Sequence, residues 1–104
     1  MNDDLIAEIG IDERGSLYVV PERHDFPSIY RAAMEVDWDP ARRRLFGPPP
    51  REWSYARWFA QILGAASDEY GAKLKLTPDT ILSGVPAEIR AEIEAGEKGR
   101  NDGG

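Results

Sequence analysis

Apolar and polar positions alternate over Leu5–Ile11, with Leu5, Ala7, Ile9 and Ile11 on one side of an extended chain and Ile6, Glu8 and Gly10 on the other. That period predicts a strand with one strongly apolar face. Asp12-Glu13-Arg14-Gly15 follows, and Gly15 suits a left-handed turn position, so a hairpin into a second strand over Ser16–Val20 is expected, ended by Pro21. A longer alternation sets Tyr30, Ala32, Met34, Val36 and Trp38 against Arg31, Ala33, Glu35, Asp37 and Asp39. It predicts a half-buried third strand. Asp39-Pro40-Ala41-Arg42 has turn chemistry, returning a fourth strand over Arg43–Phe46 that stops at Gly47 and three prolines.

After Pro48-Pro49-Pro50 the period changes. Advancing about 100 degrees per residue gathers Tyr55, Trp58, Phe59, Ile62, Leu63, Ala66 and Tyr70 within one arc of about 140 degrees. This predicts a helix from about Glu52 to Tyr70, terminated by Gly71. Lys73-Leu74-Lys75-Leu76 alternates as a short edge strand. Thr77-Pro78-Asp79 combines a hydroxyl cap, a proline and an acid, and predicts a second helix start; Pro86 begins a third, with Ile89 and Ile93 four apart. The elements sum to an α+β fold: an antiparallel sheet of two successive hairpins packed against one main helix, with short C-terminal helices closing an edge. Residues 1–96 are expected to form a single domain around one modest core, and the polar, glycine-rich stretch 97–104 a disordered tail.

Charge sharpens the picture. The net charge is −6, with ten acids against three bases in residues 1–40 and five arginines against one acid in residues 41–60. The acidic remainder argues against nucleic acid as a partner. With no cysteine there is no disulfide framework and no thiolate metal site. The opening Met1-Asn2-Asp3-Asp4 has no secretory signature and no apolar run approaches a membrane span, so a cytoplasmic protein without membrane contact is expected.

Candidate chemistry is sparse. Asp37 and Asp39 share one side of a strand, but turn formation and a solvated face account for both. His24, the single histidine, stands beside Asp25, yet adjacent residues seldom aim their side chains at each other and no serine lies in a nucleophile motif. No glycine-rich phosphate loop is present. No catalytic residue, metal or cofactor is therefore expected. Arg42, Arg43 and Arg44, with Arg51 and Arg57 interleaved among Trp53, Tyr55 and Trp58, form a basic island suited to an acidic protein partner. Trp53, Arg57, Ala60 and Gly64 fall together behind the core arc, combining two residue types enriched in binding hot spots with two small ones that admit a partner closely. The partner could be a second copy of the chain, in a homodimer. An alternative is a small-molecule effector pocket between sheet and helix, lined by Tyr18, Trp38, Tyr55 and Phe59; a small hydrolase or lyase is a third reading.

Tyr30-Arg31-Ala32-Ala33, Val36-Asp37-Trp38-Asp39, Pro50-Arg51-Glu52-Trp53-Ser54-Tyr55, Trp58-Phe59 and Leu76-Thr77-Pro78-Asp79-Thr80 resemble small bacterial proteins carried as integron gene cassettes. The same run also resembles immunity-type proteins of toxin clusters. The resemblance implies a compact accessory product of a mobile gene, often oligomeric, and implies no reaction. The expected function is non-enzymatic binding of another protein, of immunity or adaptor type.

Overall fold

The computed structural model describes the backbone of residues 2–102 and the side chains of residues 4–96. Strand β1 (Asn2–Ile11) turns back into β2 (Leu17–Pro21) as an antiparallel hairpin. The turn is built as its residues predict: Asp12 Oδ1 accepts from the amides of Arg14 and Ser16, and Gly15 takes a φ of 86°. The apolar face of β1 departs from simple alternation. Ile6 pairs with Pro21 and Glu8 with Val20, so Ala7 is an extra residue in the strand. This bulge reverses the faces N-terminal to it: Ile6 and Ile9 are both buried, while Leu5 is 42% exposed.

The expected third strand over Tyr30–Trp38 is corrected. Ile29–Arg31 forms a single 3₁₀ turn, and only β3 (Asp37–Asp39) is extended. Ile29, Ala33 and Val36 are buried, whereas Tyr30 is 57% and Met34 91% exposed. A helical spacing of four and three competes with the period of two in this stretch, and it decides which side chains enter the core. Strand β4 (Arg44–Phe46) pairs antiparallel with β3 and with β2. The Asp39 carboxylate accepts from the amides of Ala41 and Arg42 in the β3–β4 turn.

Helix α1 (Tyr55–Tyr70) begins three residues later than expected, because Ser54 Oγ caps it by accepting from the Arg57 amide. Gly71 at φ 64° ends it. Its buried residues, Trp58, Phe59, Ile62, Leu63, Ala65 and Ala66, meet Leu17 and Val19 of β2 and Leu45 of β4 in one core, against which the sheet curls.

The sheet is mixed rather than antiparallel. Strand β5 (Ala72–Lys75) lies parallel to β1 along Asn2–Leu5, and β6 (Ile81–Ser83) lies parallel to it along Glu8–Gly10, giving the order β3-β4-β2-β1-β5 with β6 beside β1. Thr77-Pro78-Asp79 starts no helix. The Thr77 hydroxyl accepts from the Asp79 amide within a turn, and Thr80 Oγ1 donates to the Ile6 carbonyl at 2.7 Å, between the parts of β1 paired with β5 and β6. Helix α2 (Ala87–Asp102) follows Pro86 and buries Ile93, but at 16 residues it is as long as α1 rather than short. Its backbone enters the stretch expected to be a tail, 97–104, whose side chains, with residues 103 and 104 altogether, lie outside the described residues.

Candidate functional site

The three prolines carry the chain from β4 to the cap of α1 and form one side of a surface groove of about 550 Å³. Glu35, Arg51, Glu52, Trp53 and Trp58 complete it. Trp53 lies before the helix, so the wheel that places it with Ala60 and Gly64 does not govern it; the half-buried ring instead packs on Trp58, centroid to centroid 4.9 Å. Arg57 nevertheless meets it, one helical turn in, with its guanidinium carbon 4.3 Å from the Trp53 ring centroid. Ala60 is exposed, and a Cβ at Gly64 would meet no atom of the described residues within 4 Å. The rear strip is thus continuous with the groove through the Trp53–Arg57 stack.

The hairpin arginines have partners within the chain. Arg42 lies 3.7 Å from the Asp39 carboxylate. Arg43, at a positive φ of 51°, donates from Nε to Asp25 Oδ1 at 2.8 Å and from its second terminal nitrogen to the carbonyls of Arg23 and His24. Arg44 lies over the Tyr18 ring at 4.1 Å, and its buried Nε has no hydrogen-bond partner among the described residues.

The four residues expected to line an effector pocket have four different surroundings. Phe59 is core. Tyr18 is on the other side of β2 from Leu17 and Val19, where its hydroxyl donates to Glu8 Oε2 at 2.6 Å. Burial and the neighbouring carboxylate push its pKa up. Tyr55 donates to the Gly15 carbonyl at 2.9 Å, tying α1 to the first hairpin, and Trp38 packs on Phe26 edge to face.

Sequence reasoning missed Asp4. Its buried carboxylate accepts from the amides of Leu5, Arg23 and His24 and contacts His24 Nδ1 at 3.0 Å. Burial raises its pKa, but the bonds from the His24 amide, the His24 ring, Arg23 and Leu5 together outweigh burial and hold the carboxyl below its ordinary value. The histidine's partner is therefore twenty residues away rather than adjacent Asp25, which belongs to Arg43. The sequence carries no sign of the bulge at Ala7 that puts Asp4 on the inward side with Ile6, where a buried acid requires donors. Among the described residues no group of three metal-ligating side chains gathers around the dyad or elsewhere.

Comparison with known proteins places the chain in a family. The model of Integron Cassette Protein Hfx_Cass5 matches residues 4–80. The chain belongs to the Hfx_Cass5 family of integron cassette proteins. A solved structure of Integron Cassette Protein Hfx_Cass5, from the mobile metagenome of North West Arm Sewage Outfall, is 47% identical over 94% of this chain and 98% of its own, with a TM-score of 0.47. No curated protein matches. The stretch shared with the Hfx_Cass5 family runs from Asp4 to Thr80 and so contains the dyad, the proline groove and all of α1, while α2 lies beyond it. No helix among the described residues is long and apolar enough to cross a membrane.

Proposed function

We propose that this integron cassette protein acts without chemistry of its own, by binding another protein through the face made of the proline groove, the Trp53–Arg57 stack and the Ala60–Gly64 strip. The observation that carries this reading is the stack itself. Trp53 and Trp58 line a 550 Å³ groove and pack on each other, and Arg57 lies over the Trp53 ring. Such residues supply contact area and directed charge at interfaces. Beside them, Ala60 and Gly64 hold no side chain that would keep a partner's backbone away.

The test is a pair of substitutions that spare the core: Arg57→Glu with Gly64→Arg, both directed away from the buried residues of α1. Affinity capture from the host bacterium, with wild type and variant as baits, is expected to retain a protein on wild type that the variant loses while circular dichroism stays unchanged. Light scattering on the same pair distinguishes a second copy of the chain from a different partner. A variant that is folded and retains every partner of wild type removes this face from consideration.

A further inference from the structure

Helix α2 is held to the rest of the molecule by few side chains, and a gap lies beneath it. We propose that α2 is a hinged cover, which lifts as one unit while the sheet and α1 stay folded and so bares an apolar cleft at Leu76 and Leu82.

The attachment is slight for a helix of this length. Among its described side chains, residues 87–96, Ile93 is 2% exposed and Ile89 is half-buried, while the rest are exposed. The helix packs chiefly on α1, and the chain from Leu76 to Leu82 stands off from it. Between them lies a cleft of about 370 Å³, with Leu76, Pro78 and Leu82 on one side and Arg90, Ile93 and Glu94 on the other. Close-packed interiors leave no such space, so α2 forgoes packing contact on that side.

The helix also has little stability of its own. Gly96 and Gly99 stand in its interior, where glycine is the least favourable residue after proline. The Arg90–Glu94 pair, 2.7 Å from Nε to carboxylate, joins two exposed side chains within α2 and does not tie it to the body of the fold. Burial of one isoleucine and part of a second offsets only a small share of the entropy lost in ordering sixteen residues. Helix α2 therefore belongs to the part of the fold that opens at low free energy, and once lifted it does not sustain its hydrogen bonds in water.

The connection to the sheet suits a hinge. Pairing with β1 fixes the chain as far as Ser83, opposite Gly10. Gly84 follows at φ 67°, Val85 is half-buried against the core, and the Arg90 amide donates the first hydrogen bond of the helix to the Pro86 carbonyl. Three residues thus separate a strand held in the sheet from the helix, and a change of backbone angle there moves α2 as a whole.

Native-state hydrogen exchange of the full chain, read residue by residue by NMR, tests this. Amides of residues 90–94 are expected to exchange about a hundredfold faster than those of α1 and the β1–β2 pair, through an opening that depends little on denaturant. Ile93→Ala is expected to remove protection from α2 and leave that of α1, β1 and β2 in place. The same variant should bind an apolar fluorescent dye several-fold more tightly, as Leu76 and Leu82 are uncovered. Gly96→Ala, where a Cβ meets no atom of the described residues within 4 Å, acts in the opposite direction and slows exchange in α2 by about fivefold. Equal protection in α2 and the β1–β2 pair, loss of protection throughout the chain in Ile93→Ala, dye binding unchanged in that variant, or exchange indifferent to Gly96→Ala overturns the proposal. An α2 without protection in wild type overturns it as well, since such a helix covers nothing.

Discussion

His24 Nδ1 lies 3.0 Å from Asp4 Oδ2, joining an imidazole that is 41% exposed to a carboxylate that is 1% exposed. The loop carrying His24 is held along both sides of its backbone: Asp4 accepts from the amides of Arg23 and His24, and Arg43 donates to their carbonyls. An ionised carboxylate only accepts, so in the neutral ring the proton sits on Nδ1.

That tautomer is directly observable, because His24 is the single histidine of the chain. Nitrogen-15 NMR of the neutral ring is expected to report a protonated Nδ1 in wild type and a shift toward the Nε2-protonated form in Asp4→Ala. A wild-type ring protonated mainly at Nε2 would show that Asp4 does not orient it.

Asp4 also sets an acid limit on stability. Its folded pKa is depressed below that of an ordinary aspartate, so its stabilising contribution is present above the unfolded-chain pKa and is lost as pH falls through the folded pKa. Melting temperatures of wild type are expected to fall more steeply below about pH 4 than those of Asp4→Asn. At neutral pH, Asp4→Ala should cost about 2–5 kcal/mol, since it strands several amide donors at once. Parallel pH profiles for wild type and Asp4→Asn would contradict this.

Gly10 sits opposite Tyr18 across the β1–β2 pair, and a methyl group there would coincide with the tyrosine ring. Gly10→Ala is expected to cost about 1–3 kcal/mol, with much of the loss recovered when Tyr18→Ser empties the space. Denaturant midpoints of the two single variants and the double variant form the cycle that measures this coupling.

Phe26 is fully buried and edges both Trp38, at 5.9 Å, and Tyr70, at 5.0 Å. Phe26→Leu should therefore destabilise by about 1–3 kcal/mol and Phe26→Ala by about 3–5. Trp38, expected from alternation to be core, is half-buried, and Trp38→Ala should cost less than Phe26→Ala in thermal unfolding.

Local chemistry was readable wherever one element settled it. Asp12 and Gly15 mark the first turn, Asp39 the second, Gly71 the helix end, and the arc from Trp58 to Ala66 the buried side of α1. What depended on a distant strand was not. Nothing near Ala7 reveals a bulge, and Thr77-Pro78-Asp79 satisfies the rules of a helix start until Thr80 is bonded to a carbonyl 74 residues away. Similarly, Trp53 and Arg57 were readable as a pair, whereas the groove needed Glu35 brought in from the far side of β3 and β4.

The division of one side of β1 between β5 and β6 has a consequence for how the molecule assembles. The hairpin to β2 closes over a few residues, but the opposite edge stays open until residues 72–83 arrive, and α1 must be crossed first. Closing so long a loop is slow. On a ribosome, β1 emerges before β5 and β6 and is enclosed only once both have followed. Its open amides and carbonyls would meanwhile be available to any other nascent chain, so crowded synthesis is a condition that exposes this small fold to misassembly.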